Sequence, residues 1–275
     1  MNVFDPHGRI DQITLVGLGG TGTQWARLLA RIIYDMREKG METPQLHFVD
    51  PDIVEPKNIG RQLFAVGDVG KSKAQVAATR LNFALGLDIT YCDDTFDPKR
   101  DTRHGTLLCG AVDNHHARLD IASCVQEFLV WIDAGNHYDS GQVIIGNTGK
   151  VATLQQQWNR QEMLNNGKDE EWKYLPVATL LFPQLLEPDT EPAPAPDLSC
   201  ADLVTRGEQH LLINDMVASV AAQYTYNLLH RIPITSFITY ISMNPMGVKS
   251  IPITREDVMI YLPEEYEVDP CPAGH

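Results

Sequence analysis

The sequence predicts an α/β fold, and three features of its first fifty residues predict it. Residues 13–22, ITLVGLGGTG, join a short apolar run to a glycine-rich turn. An amphipathic pattern follows at once, with apolar residues three and four positions apart from Trp25 to Met36, as in a helix. Residues 45–50, QLHFVD, then form a second apolar run that ends in an acid. This order is typical of a Rossmann-like nucleotide-binding unit.

The glycine turn predicts a phosphate site. Because Gly17, Gly19, Gly20 and Gly22 have no side chains, the backbone can approach a ligand closely. The helix that follows presents unpaired N–H groups and a partial positive charge at its N-terminus. The turn alone fits NAD, FAD or ATP equally well.

Composition narrows the class of protein. The chain has 275 residues, and its formal net charge of −14 disfavours non-specific binding to nucleic acid or to an anionic membrane. No apolar run approaches the roughly 18 residues of a membrane-spanning helix, and residues 1–12 do not resemble a secretion signal. The five cysteines include no CxxC pair, so we expect a reduced, cytoplasmic protein. Cys92, Cys109 and Cys124 lie in apolar segments and are expected to be core residues.

A polar segment after the second strand concentrates positive charge in this acidic chain. Arg61, Lys71 and Lys73 follow Asp50 within 23 positions. A dinucleotide dehydrogenase does not need three cations there, whereas an enzyme that cleaves ATP between its α- and β-phosphates does, because negative charge develops on both products. The alternative interpretation of these three residues is that they are ordinary surface charges at the solvent-exposed start of a helix. Asp50 has an alternative too, as a turn-initiating residue rather than a ribose ligand.

The rest of the chain predicts a parallel sheet continued by antiparallel strands. A strand over 104–112 delivers Asp113 and Asn114 at its carboxyl end, where open α/β sheets place ligands, and Asn114 is a good N-cap. No regular pattern is found from Trp158 to Thr205, and residues 187–196 are rich in proline and acid. Further predicted elements are a helix from about 71, a helix over 115–127, strands over 128–133 and 141–146, a helix over 208–231 and a hairpin over 236–251.

Four ordered motifs together resemble a known family. They are the glycine turn, DxDxVExxNxxRQ at 50–62, DVGKSKA at 68–74 and the Asp113-Asn114 pair after a hydrophobic strand. This combination resembles the ThiF/MoeB/HesA superfamily of enzymes that adenylate ubiquitin-like proteins, and within it the ThiF-type proteins of bacterial PRTRC plasmid-associated systems. The resemblance is strong over residues 10–150 and weak over 197–250.

The resemblance implies site residues. Asp50 would hold the ribose, Arg61 would stabilise the reaction centre, and Lys73 would bind phosphate. Asp113 would bind Mg²⁺, with Asp52 as a second candidate ligand, since Mg²⁺ takes one or two carboxylates besides phosphate oxygens and water. Carried over by position, the ATP-binding residues are Gly17, Gly19, Gly20, Gly22, Asp50, Asp52, Asn58, Arg61, Gln62 and Lys73, and the catalytic residues are Arg61, Lys73, Asp113 and Cys200.

The resemblance also implies one adenylation domain over residues 1–275. Its parts would be a nucleotide-binding half (10–150), a crossover loop (158–205) and a helix with a closing hairpin (206–252). In many relatives the crossover loop carries a cysteine that accepts the activated protein as a thioester, and Cys200 has a comparable position. Its alternative is an inert loop cysteine.

Two features depart from the family pattern. Many relatives bind structural zinc through two CxxC pairs, and because this chain has none we expect no zinc. Relatives often form homodimers in which the second subunit supplies an N-terminal arginine. A homodimer is therefore expected here, and whether Arg9 has that role is left open.

The sequence predicts an ATP-dependent enzyme that adenylates the C-terminal glycine of a ubiquitin-like protein and releases pyrophosphate. Thioester formation on Cys200 and transfer to a conjugating partner would follow. One alternative is adenylation without a cysteine relay, for sulfur transfer or tRNA-base cyclisation. Others are an NAD(P)-dependent oxidoreductase, disfavoured by Arg61 and Lys73, and a degenerate binding module.

Overall fold

The structure is a computed structural model of the chain, and it describes residues 2–125, 129–164, 171–188 and 212–263. Cys200 and Cys271 lie outside these ranges. The strands are β1 (Val3–Phe4), β2 (Gln12–Val16), β3 (Gln45–Val49), β4 (Thr90–Cys92), β5 (Thr106–Gly110), β6 (Val130–Asn136), β7 (Ser140–Gly146), β8 (Glu171–Trp172), β9 (Ser236–Met243) and β10 (Met246–Pro252). The α-helices of the described ranges are α1 (Gly20–Glu38), α2 (Lys73–Leu85), α3 (Pro98–Asp101), α4 (His115–Ser123), α5 (Val151–Leu164), α6 (Ala178–Leu181), α7 (Ile213–Leu229) and α8 (Arg255–Tyr261).

An eight-stranded sheet with the order β10-β9-β7-β6-β5-β2-β3-β4 forms the centre of the molecule. The strands from β6 to β4 are parallel, whereas β7, β9 and β10 continue the sheet in antiparallel pairing. This confirms the predicted fold class. A separate parallel pair, β1 with β8, joins the N-terminus to the segment after α5.

Helices α1 and α7 pack against each other, α7 also contacts β6 and β7, and α2 lies beside α1. The core contains fully buried large side chains from helix and sheet, among them Trp25 of α1, Phe48 of β3, Trp131 of β6 and Phe237 of β9. Burying each of them stabilises the fold by about 2–3 kcal/mol before the entropy cost is subtracted. Cys109 and Cys124 are buried in the same core, as predicted, and Cys92 is half-buried.

The segment after β7 is more regular than the sequence predicts. The expectation of no regular element from Trp158 is wrong, because α5 continues to Leu164 and is followed by β8 and α6. Leu154 and Trp158 fix α5 by packing into the core. The rings of Trp158 and Trp172 pack edge to face there, with their centroids 6.2 Å apart. The predicted proline-rich segment lies almost entirely outside the described residues.

Within the described ranges, none of the helices is both long enough and apolar enough to cross a membrane.

Candidate active site

The glycine turn lies at the carboxyl ends of β2, β3 and β5. Gly17 has a φ of +90°, and a Cβ on it would stand 2.5 Å from the Ala111 carbonyl oxygen. A Cβ on Gly22 would stand 1.9 Å from the Gly17 carbonyl oxygen. The Ala111 N–H donates to the Val16 carbonyl at 2.9 Å. The turn therefore folds tightly onto itself and onto the segment that leads from β5 to Asp113.

One side of the turn is open and the other is covered. A Cβ on Gly19 would meet no atom of the described residues within 4 Å, whereas one on Gly20 would stand 2.8 Å from the Asn214 carboxamide of α7. Gly19 is the N-cap of the 19-residue helix α1, so a ligand reaching Gly19 also meets the positive end of the helix dipole. This geometry suits a phosphate group.

Asp50 anchors the turn from the end of β3. Its Oδ2 accepts the Leu18 N–H at 2.5 Å, and its Oδ1 accepts the Asp52 N–H at 2.8 Å. Burial raises the pKa of Asp50, while the nearby Lys73 ammonium and the two N–H donors act in the opposite direction. In this structure Asp50 thus shapes the backbone of the site, which agrees with the turn-forming alternative. Its ribose role stays a prediction.

Lys73, the first residue of α2, points toward the acids at the end of β3. Its Nζ lies 2.8 Å from Asp52 Oδ2, and its backbone N–H donates to the Asp52 carbonyl at 2.9 Å. Lys73 is 6% exposed, whereas the Asp52 side chain is mostly exposed. A buried ammonium is therefore held beside the turn by a carboxylate that solvent or a ligand can reach.

Arg61 carries a guanidinium group without a protein acceptor. Its Nε and Nη1 atoms are buried and have no hydrogen-bond partner among the described residues, and the same holds for Oε1 of the neighbouring Gln62. The loop is tied to α1 two residues further on, where the Leu63 N–H donates to Thr23 Oγ1 at 3.4 Å. Buried donor groups of a cation that lack an acceptor are costly unless a ligand supplies one.

Asn58 has a local structural role. Its Oδ1 accepts the Glu55 N–H at 2.8 Å, and its carbonyl accepts the Gln62 N–H at 3.0 Å. These bonds close the loop on which Arg61 and Gln62 sit. The predicted contact of Asn58 with phosphate is not tested by this arrangement.

Asp113 lies three residues after β5, and its carboxylate is exposed. It makes no hydrogen bond or ion pair with the residues that the structure describes, whereas the next residue, Asn114, caps α4 through a 2.8 Å bond from the Ala117 N–H, as predicted. A carboxylate that is unengaged and solvent-facing fits the ligand chemistry of Mg²⁺. Asp113 would be the primary protein ligand of the ion, because Asp52 already pairs with Lys73.

The structure does not place two further predicted residues, Cys200 and Arg9, beside the glycine turn. Cys200 lies outside the described residues. Arg9 is exposed and pairs with Asp11 at 2.7 Å and Glu42 at 3.1 Å, at the amino-terminal end of β2. It therefore lies at the opposite edge of the sheet from the glycine turn of its own chain.

The sequence reasoning missed two groups beside the site. Asp68 and Arg80 form an ion pair at 2.5 Å that braces the loop of Arg61. Thr21, Asn136 and Asn214 form a hydrogen-bonded cluster in which Asn214 Oδ1 accepts from Thr21 Oγ1 at 3.0 Å and from Asn136 Nδ2 at 3.2 Å. Asp68 opens the DVGKSKA motif, which was a usable signal, but no local pattern marks Asn214.

A mostly parallel α/β sheet with a glycine turn at the carboxyl ends of its strands defines a protein with a Rossmann-like fold. The model described as "ThiF family" matches residues 9–258, so the chain belongs to the ThiF family. No curated protein matches the sequence.

Solved structures share the fold. The structure of Escherichia coli MccB with ATP superposes with a TM-score of 0.55 at 15% identity, covering 89% of this chain and 64% of that chain. MccB with MccA-N7isoASN gives a TM-score of 0.56 at 14% identity, covering 91% and 66%. The structure of selenomethionine PaaA gives a TM-score of 0.50 at 14% identity, covering 88% of this chain and 64% of that chain. The chain therefore spans just under two thirds of the solved chains and shares their fold.

Proposed function

We propose that this protein binds Mg·ATP at the glycine turn and adenylates a C-terminal carboxylate, that of the glycine of a ubiquitin-like protein. The substrate carboxylate oxygen attacks the α-phosphorus, the bond from that phosphorus to the bridging oxygen breaks, and pyrophosphate leaves. The product is an acyl-adenylate.

The half-buried guanidinium of Arg61 supports this proposal most directly. In a chain with a net charge of −14, a cation whose Nε and Nη1 have no acceptor among the described residues is best explained by an anionic ligand. Its loop is bonded to the first turn of α1, beside the open face of Gly19. Arg61 and Lys73 would offset the charge that develops on the α-phosphate and the leaving pyrophosphate.

The comparison structures support a peptide or protein as the second substrate. MccB has been crystallised with ATP and, in another structure, with MccA. A peptide tail needs an open approach to the turn, and Gly19 offers one. Mg²⁺, when bound by Asp113 and the phosphates, would add charge neutralisation at the leaving group.

A thioester step on Cys200 is the finer part of the proposal. The Cys200 thiolate would attack the acyl-adenylate carbonyl and release AMP, before transfer to a conjugating partner. The family resemblance supports this step, and likewise a homodimer. Replacing Cys200 with Ala separates the relay from adenylation alone, because the relay predicts loss of a thiol-sensitive conjugate while pyrophosphate exchange survives.

The decisive experiment combines the protein with ATP, Mg²⁺ and small β-grasp proteins encoded near it, and measures both ATP–pyrophosphate exchange and product mass. We expect exchange that depends on one such protein and an adduct heavier by AMP. Calorimetry with ATP and with NAD(P) is the control for the oxidoreductase alternative. Binding of NAD(P) but not ATP would refute the proposal.

A further inference from the structure

The loop that carries Arg61 is held between two helices through the backbone of one residue, Leu63. The Leu63 N–H donates to Thr23 Oγ1 of α1 at 3.4 Å, and the Leu63 carbonyl accepts from Arg80 Nη1 of α2 at 2.6 Å. The backbone N–H and the backbone carbonyl of a residue two positions from Arg61 are thus both fixed, by side chains from α1 and α2.

The Thr23 hydroxyl links this loop to the glycine turn. Thr23 is buried, and while its Oγ1 accepts from Leu63 it donates to the Gly19 carbonyl at 2.8 Å. Gly19 is the residue whose face is open to a ligand. A displacement of the loop and a displacement of the turn are therefore coupled through one β-branched side chain, whose rotamer is restricted in a helix.

Arg80 braces the loop at a second point. Its Nη2 lies 2.5 Å from Asp68 Oδ2, which also accepts the Ala65 N–H at 2.7 Å. Burial alone would raise the pKa of Asp68, but the Ala65 N–H and the Arg80 guanidinium lower it, so the carboxylate stays charged. One guanidinium thereby holds both ends of the stretch from Leu63 to Asp68, which the single ammonium of a lysine would not reproduce.

The loop has little regular structure that could do this alone. It contains two 3₁₀-helices of three residues each, Pro56–Asn58 and Val66–Asp68, and glycines with positive φ at Gly60 and Gly70. Its apolar anchor is the small cluster around Phe64. The two helix-borne side chains therefore contribute much of its definition.

We propose that Thr23 and Arg80 are positioning residues that fix the backbone of Leu63 and thereby set the point from which Arg61 reaches a phosphate. Neither residue need touch ATP. This inference rests on the proposed role of Arg61, and it adds the requirement that the two side chains act through that residue. Electrostatic stabilisation falls steeply when a charge is misplaced, so a loosened loop weakens the contact.

A double-mutant cycle tests the coupling. Full-length wild-type protein, Arg80→Ala, Arg61→Ala and the double variant are titrated with Mg·ATP by calorimetry. We expect Arg80→Ala to weaken binding about tenfold in the wild-type background, the effect of losing hydrogen bonds to a charged group, and to have no further effect once Arg61 is absent. The exposed neighbour Thr79→Ala is the matched control and should bind as wild type does.

A second pair of variants tests the same coupling where Arg80→Ala fails to fold. Thr23→Val keeps the shape but removes the hydroxyl, and it should weaken binding, whereas Thr23→Ser should restore it. Losses of equal size with and without Arg61 would overturn the inference, because they indicate a general structural effect. Wild-type affinity in both Arg80→Ala and Thr23→Val would overturn it too. Failure of the wild-type chain to bind Mg·ATP would instead refute the proposed function.

Discussion

At the scale of single residues, the charged groups beside the glycine turn divide into those with a protein partner and those without. Asp50 and Lys73 are held by backbone N–H groups and by Asp52, respectively. Arg61 has buried donors without an acceptor, and Asp113 has no partner among the described residues. The engaged groups build the site, and the unengaged ones are available to a ligand.

Asp113 therefore tests the metal assignment. Asp113→Ala should abolish ATP–pyrophosphate exchange, because Mg²⁺ would lose its principal carboxylate, while the fold is retained because the side chain is exposed. The readouts are isotope exchange and thermal unfolding. Asp120→Ala is a suitable control, since Asp120 is equally exposed on α4. Undiminished exchange in Asp113→Ala would contradict the assignment.

A buried acid away from the site predicts the acid limit of stability. Burial would raise the pKa of Asp101, but hydrogen bonds from His47, Arg100 and the Asp97 N–H lower it to about 2. A lowered pKa in the folded state contributes stability that is present above about pH 4 and is lost as the pH falls toward 2. Asp101→Asn should reduce the free energy of unfolding by about 2–3 kcal/mol at pH 7 and by little near pH 2. Urea unfolding at pH 7 and near pH 2 measures the free energy of unfolding. An equal loss at the two pH values would contradict the prediction.

Residue identities gave a partial account of these roles. The local sequence was enough to predict that Asn114 caps α4, because the capping bond spans three residues. It was also enough to predict that Cys109 is buried. They did not reveal Arg80, since its acceptors lie 12 and 17 positions away and an exposed helix arginine has no distinctive pattern.

At the scale of elements, the strand, turn and helix of residues 12–38 form the most constrained part of the site. Two glycines of the turn differ in the space around them. Gly22 is pressed against the Gly17 carbonyl, whereas Gly19 has free space around it. The same substitution should therefore have different consequences at the two positions.

Gly22→Ala should destabilise the fold by about 3 kcal/mol or more, because its Cβ would stand 1.9 Å from a backbone oxygen that cannot move aside. Gly19→Ala should fold normally but bind ATP more weakly, since its methyl group occupies the open face. Thermal unfolding and calorimetry distinguish the two effects. Equal stability of the two variants would show that the turn is looser than described.

Elements whose apolar residues recur at regular spacing could be predicted from the sequence, whereas α5 could not. Strands β2 and β3 and helix α1 follow their patterns closely. The buried apolar side chains of α5 are Val151, Leu154 and Trp158, and three glutamines separate the last two. Tertiary contacts decide its structure, because Gln157 accepts the N–H groups of residues 173 and 174.

At the scale of the whole molecule, the glycine turn and the helix α7, distant in sequence, meet at Asn214. Its carboxamide lies over Gly20 and accepts hydrogen bonds from Thr21 of α1 and Asn136 of β6. Asn214 is buried and separated from Thr21 by 193 positions. Such a contact depends on the completed fold, which explains why no sequence pattern indicated it.

This arrangement predicts that α7 supports the nucleotide site from a distance in sequence. Asn214→Ala removes two hydrogen bonds and the amide that covers Gly20, so it should lower the free energy of unfolding by about 1–3 kcal/mol. It should also weaken ATP binding, since the first turn of α1 loses its cover. Gln223→Ala, an exposed change on the same helix, is the control and should leave both quantities unchanged. Urea unfolding and calorimetry provide the measurements. If Asn214→Ala lost stability but kept full affinity for ATP, α7 would support the fold alone, and the glycine turn would be organised by β3 and α1 without it.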